Sequence, residues 1–183
     1  MILMMTIGGD DVANKKTFVV AGFPGIGKSF ASNHIYPNTS SNRSMTNGLN
    51  ILDLDSSHFS KVVDSSGNVV VNGNFINDYY ITLSDYIRTR EYDIIFISTH
   101  SDVIKYLKPD VIVYPEINGK DNYLKRFEDR NDNQQFIEFI SENWYHFIED
   151  IESCECEWLY ELPSSDYIDY HLFNIYRIAR LGE

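Results

Sequence analysis

The sequence predicts an α/β domain built on a five-stranded, mainly parallel β-sheet with helices on both faces. Three observations carry this expectation: short apolar runs recur along the chain, segments of helical period separate them, and a glycine-rich turn joins the first run to the first helix. Such alternation favours a parallel sheet, because each crossover helix returns the chain to the edge where the next strand begins. The chain has 183 residues, of which 43% are hydrophobic and 14% aromatic, enough to bury the core of one ordinary domain. A single domain over residues 1–183 is therefore expected.

The first strand is KTFVVA, Lys16 to Ala21, closing on Gly22. From Lys28 the residues SFASNHIY read as a helix that Pro37 stops, and a polar loop rich in turn formers follows. NILDL, Asn50 to Leu54, is a second strand that is apolar first and acidic at its end. Residues 56–74 alternate turn formers with a valine triplet, which predicts a small hairpin or a mobile insert. Ile76, Tyr79, Tyr80, Leu83 and Ile87 have helical spacing. YDIIFIS, Tyr92 to Ser98, is the most apolar strand, a short helix begins at Asp102, and PDVIVY supplies the fourth strand. Past Asp121 the pattern is helical, and from Asp132 the residues Phe136, Ile140, Trp144, Phe147, Ile148 and Ile151 form one apolar stripe. Cys156, Trp158 and Tyr160 alternate as a last strand, and a helix over Asp166 to Arg180 turns Ile168, Leu172, Ile175 and Ala179 inward.

The 27 acidic and 15 basic residues leave a net charge of -12, which disfavours a long phosphate backbone as a main partner unless the cations gather in one place. Small anions in a local cleft are not excluded by it. Cys154 and Cys156 are the two cysteines, and C-x-C is poor spacing for a staple or a four-ligand metal site, so two thiols on a half-buried strand in a reducing, cytoplasmic compartment are expected. The apolar opening lacks a basic flank, and no run approaches 18 apolar residues, so neither secretion nor a membrane span is expected.

Gly22, Phe23, Pro24, Gly25, Ile26, Gly27, Lys28 and Ser29 match G-x-x-x-x-G-K-[ST] between a strand and a helix. Glycines let consecutive N–H groups point at phosphate oxygens, and the helix N-terminus adds positive potential. Lys28 then reaches the β and γ phosphates, and Ser29 offers its hydroxyl to Mg²⁺. A nucleoside triphosphate is the expected ligand and the P-loop NTPase fold the expected architecture. Asp93 stands at the start of its strand, where the second acid of motor ATPases and many GTPases would stand at the end, and no N-K-x-D guanine motif is present.

Asp53 and Asp55 leave the second strand together as D-x-D. Here the sequence resembles the nucleotide, shikimate and gluconate kinases of the P-loop class. That resemblance implies Asp53 near the Mg²⁺ shell and Asp55 at the acceptor; both acids also suit an Asx cap of the next turn. It further implies a helical lid, at about 119–131, carrying arginines over the phosphates. Arg126 and Arg130, four apart in YLKRFEDR, stand where the lid is expected, although their acidic neighbours equally suit a salt-bridged surface helix. YDIIFISTH and VYPEINGKDNYLKRFEDR together are similar to small nucleotide kinase-like proteins of bacterial viruses. His100, after the central strand, and Arg88 are candidate acceptor contacts; a structural histidine and a solvated arginine are the alternatives. Arg43 and Lys61 are weighed in the same way.

The resulting expectation is a Mg-ATP-dependent phosphotransferase acting on a small acceptor, foremost a nucleoside or deoxynucleoside monophosphate. Lys28, Arg126 and Arg130 would hold charge in the transition state, and Asp55 would orient the acceptor. A kinase acting on a hydroxylated base within DNA is one alternative. A nucleotide-binding switch with little turnover is another.

Overall fold

A computed structural model describes residues 16–33 and 49–181. Its main sheet contains β1 (Phe18–Gly22), β2 (Ile51–Asp53), β5 (Ile94–Ile97), β6 (Val111–Pro115) and β7 (Trp158–Leu162), in the order β2-β5-β1-β6-β7. All neighbouring pairs are parallel. The five strands are the five apolar runs of the sequence, and β1, β5 and β6 are buried along their whole length. β-branched side chains dominate them because both faces of a parallel sheet are covered.

Between these strands lie α1 (Lys28–Asn33), α2 (Phe75–Thr89), α3 (Ser101–Leu107), α4 (Lys120–Asp129) and α5 (Gln134–Glu152), with α6 (Leu172–Leu181) after β7. From β1 the chain steps across β5 to β2, whereas every later crossover steps the other way. Right-handed crossovers therefore put α1 on one face and α2, α3 and α5 on the other. α6 returns to the α1 side, where Tyr176 meets Phe18 edge-on at 5.2 Å. The reversal of direction around β1 opens a crevice at the carboxyl ends of the strands.

The α5 stripe is core as expected: Ile140, Trp144, Ile148 and Ile151 are buried, with Phe136 and Phe147 packed against them in part. Trp144 stands edge-on to Phe23 at 5.5 Å and donates Nε1 to the Ile117 carbonyl at 2.8 Å, which ties α5 to the start of the phosphate loop. Truncating such a residue to alanine typically costs about 3–5 kcal/mol. Asp93 is structural: its carboxylate accepts from Asn50 N at 2.8 Å at the amino edge of the sheet.

Several expectations need correction. The helix predicted to run from Lys28 to Pro37 is described as far as Asn33, and the rest, with Arg43, lies outside the described residues. The last helix begins at Leu172, not Asp166, because residues 168–170 form a 3₁₀ turn in which Ile168 N is held by Ile26 O at 2.8 Å. The side chain of Ala179 lies outside the described residues. Cys154 and Cys156 precede β7 instead of lying in it; both are free and half-buried, and burial raises both thiol pKa values. The 119–131 segment contains α4, and Tyr123 and Phe127 on its inner face are fully buried beneath the glycine-rich loop. In this arrangement the helix packs against the core through these two rings.

The 56–74 insert folds as a 3₁₀ turn (Ser56–Phe59) and a hairpin of β3 (Lys61–Val63) antiparallel to β4 (Val69–Val71). Asp64 makes its turn, accepting from Ser66 N and Asn68 N at 2.8 Å each. Among the described residues no helix is long and apolar enough to cross a membrane.

Candidate functional site

Residues 22–29 form a compact loop between β1 and α1. Gly25 (φ 82°) and Gly27 (φ 97°) both adopt the left-handed conformation that side chains resist. A Cβ on Gly25 would meet the Phe127 ring at 2.7 Å, so the loop rests directly on α4. Phe23 N donates to Val113 O at 3.0 Å, anchoring the loop to β6. Ala31 N to Gly27 O, 3.0 Å, begins the helical hydrogen bonding of α1.

Lys28 folds back over this turn, donating Nζ to Gly22 O at 2.8 Å and Phe23 O at 3.2 Å. Burial pushes its pKa down from the usual lysine value to about 8; Asp53 and Asp55 oppose that shift and Arg130 adds to it. The ammonium thus feels the strand-two acids and one arginine together. Ser29 Oγ donates to Asp53 Oδ2 at 2.6 Å. Among the described residues, Asp53 Oδ1 and Ser98 Oγ are buried without a hydrogen-bonding partner. Ile97 lies beside Ala21 in the ladder, so Ser98 leaves β5 level with the start of the loop.

Buried oxygens normally find partners, and orphans are costly. The Ser29 hydroxyl and the Asp53 carboxylate, one of whose oxygens is orphaned, form a hard-oxygen donor set that fits Mg²⁺, which binds through one or two protein groups plus phosphates and water. Ser29 and Asp53 are the residues that would hold it. No group of three or more His, Cys, Asp or Glu side chains that could hold a metal ion occurs among the described residues.

Asp55 takes the capping role. Its Oδ1 caps the 3₁₀ turn by accepting from Ser57 N at 2.9 Å, while the residue is exposed and its charge reaches Lys28. Leu54, between the two acids, accepts from the buried Tyr79 hydroxyl at 2.6 Å, which fixes the exit of β2 to α2.

The two arginines do not act as a pair on one face. Arg126 forks onto backbone carbonyls, Gly25 O at 3.3 Å and Ser164 O and Asp166 O at 2.8 Å each, and its guanidinium lies between the Tyr123 and Tyr167 rings, 4.5 and 4.1 Å from their centroids. It clamps the phosphate loop to the 164–167 segment. Arg130, just past α4, lies over Phe127 and pairs with Asp132, and its side chain is half-exposed. Its charge lowers the Lys28 pKa, so the two cations lie close enough to interact.

His100 is exposed at the N-terminus of α3, and its side chain makes no capping hydrogen bond. It borders a cleft of about 500 Å³ that also touches Ser56, Ser57, Asn72, Phe75 and Asp102. Arg88 is corrected by the fold. α2 starts at the carboxyl edge of the sheet and runs roughly 20 Å to the opposite edge, where Arg88 pairs with Asp85 at 2.9 Å. Lys61 lies on exposed β3 and does not border the cleft.

Sequence reasoning missed the 163–171 segment. Ile168 N binds the phosphate loop at Ile26 O, a Cβ on Gly27 would lie 3.2 Å from Tyr167, and Tyr160, His171 and Asp166 form a hydrogen-bonded chain with links of 2.8 and 2.9 Å. The signal was a turn-rich PSSDY directly after the last strand, at the edge that carries the phosphate loop. Compared with protein-family models and with curated proteins, the chain matches none.

Proposed function

We propose that the protein is a Mg-ATP-dependent phosphotransferase that moves the γ-phosphoryl group to a small, nucleoside-sized acceptor in the cleft beside Asp55. The observation that carries this is the Ser29–Asp53 contact with its orphaned carboxylate oxygen, set against a glycine-rich loop whose lysine is already desolvated. The loop N–H groups and Lys28 bind the triphosphate, and Lys28 exchanges its carbonyl partners for phosphate oxygens. Mg²⁺ held by Ser29 and Asp53 would neutralise charge on the β and γ phosphates. Arg130 supplies a further positive charge close to Lys28, while Arg126 keeps the loop rigid so that its donors stay aligned. Asp55 orients the acceptor at the mouth of the cleft. The free, half-buried thiols fit a reducing, cytoplasmic setting.

The test is ADP release from Mg-ATP in the presence of candidate acceptors, comparing the parent protein with Lys28→Ala and Asp53→Asn. Acceptor-stimulated release is expected to fall about 10²–10³-fold in Lys28→Ala, and Asp53→Asn should require more Mg²⁺ for half-maximal rate. Tight ATP binding with no stimulation by any acceptor would replace this reading with a nucleotide-binding switch.

A further inference from the structure

The cleft beside Asp55 has a composition that bears on what it accepts. It opens between the 3₁₀ turn, the root of the hairpin and the first turns of α2 and α3, immediately beyond the two strand ends that carry Asp55 and Ser98. Its volume, about 500 Å³, falls in the range of roughly 300–1,000 Å³ usual for small-molecule sites. The apolar part is Val71, Phe75 and Ile76, and the Phe75 ring is already stacked on Tyr79, 5.9 Å between centroids and 16° between planes. The polar part consists of serine hydroxyls, Asn72 and His100, and the amide of Asn72 is committed to Phe59 O and Asp78, each at 2.9 Å.

The charged residue on this lining is Asp102; no lysine or arginine borders the cleft among the described residues. Asp55 directly precedes Ser56 and Ser57 of the lining and caps their turn, which adds a second carboxylate next to the cleft. Arg88 sits at the far edge of the sheet, and Arg126 is fully engaged beneath the loop. A phosphate monoester carries nearly two negative charges at neutral pH, and recognising one calls for arginine or lysine forks. A carboxylate in their place repels it.

We propose that this cleft takes an uncharged, hydroxyl-bearing aromatic acceptor of the nucleoside class and not a nucleoside monophosphate. The proposal rests on the phosphotransferase reading and narrows its acceptor. Phe75 provides the face on which a planar base stacks, while the serine hydroxyls and His100 meet its polar edge. Asp55 lies between cleft and loop with Oδ1 held by Ser57 N, which leaves Oδ2 to take the hydroxyl proton. The acceptor oxygen forms its bond to the γ phosphorus as the bond between that phosphorus and the β–γ bridging oxygen breaks. ADP leaves with the electron pair, and the proton passes from Asp55 to solvent. The same hydroxyl could be presented by a free nucleoside or by a hydroxymethylated base in a DNA strand.

Two measurements on the full chain test this. Equilibrium dialysis without ATP compares thymidine and a hydroxymethylated pyrimidine nucleoside with their 5′-monophosphates. Each nucleoside is expected to bind at least about tenfold more tightly than its monophosphate. Phe75→Ala should weaken nucleoside binding about tenfold while ATP affinity stays unchanged, which also shows that the variant is folded. Asp102→Lys should narrow the gap by improving the monophosphate. Tighter monophosphate binding, equal binding, or no binding of either overturns the proposal, whatever ATP does. ADP release with the free nucleosides and with an oligonucleotide carrying the modified base then separates the two sources. Stimulation by monophosphates alone would overturn the proposal and leave the phosphotransferase reading standing; failure to bind ATP would overturn that reading while the dialysis ranking still decides the occupant of the cleft.

Discussion

Lys28 shows how a single residue carries a measurable consequence of the fold. Its ammonium is desolvated by the loop, so the folded protein releases this proton near pH 8 instead of at the ordinary lysine value of 10.5. A bound triphosphate favours the charged form and raises the pKa again. At pH 8 nucleotide binding should therefore draw about half a proton from the buffer, and calorimetry in two buffers of different ionisation enthalpy reads that uptake directly. Lys28→Arg keeps the charge but cannot titrate in this range, so its binding should show none. The sign for stability follows from the same shift: the cost of burying the charged lysine is fully present below pH 8 and is relieved as pH rises toward 10.5. The tight turn after β1 was legible in the sequence because its backbone geometry demands glycine at positions 25 and 27. The role of Arg126 was not, since its partners are the carbonyls of Gly25, Ser164 and Asp166, and carbonyls leave no mark on residue identity.

Among the elements, the hairpin depends on one buried amide. Asn72 N donates to Ser60 O at 2.9 Å, its side-chain nitrogen reaches Phe59 O and Asp78, and its side-chain oxygen accepts from Asn74 N at 2.8 Å. β3 and β4 carry exposed valines and form a separate two-stranded sheet, so little else holds them. Asn72→Ala is expected to cost about 1–3 kcal/mol locally and to raise hydrogen exchange across 61–71 while β1 and β5 amides keep their protection. Equal acceleration in β1 would show that hairpin and core unfold as one unit. The valine triplet and its flanking turn residues announced this hairpin, but its docking against α2 was hidden in Asn72, whose residue type is common in turns for unrelated reasons. α4 illustrates the opposite limit: its sequence period was plain, yet its close packing depends on the glycine opposite Phe127, at a position 102 residues earlier in the chain.

For the whole molecule, a net charge of -12 sets the background field. Self-repulsion among the acids weakens the compact state and is screened over about 8–10 Å at physiological salt. Raising NaCl from about 20 to 200 mM is therefore expected to raise the urea midpoint of the free protein. Binding of unmodified duplex DNA should be weak even at the low-salt end. A falling midpoint would mean that local ion pairs such as Lys16–Asp110, at 2.6 Å, outweigh the net repulsion.

The strands, their parallel sense, the apolar stripe of α5 and the tight glycine-rich loop after β1 all follow from local pattern, because side-chain period and glycine placement act within a few residues of the chain. Strand order, the docking of α4 beneath the loop, the removal of Arg88 to the far edge and the absence of cations from the described lining of the cleft are tertiary outcomes. They depend on which elements the crossovers bring together, and residues separated by tens of positions meet there without any local signal in the chain.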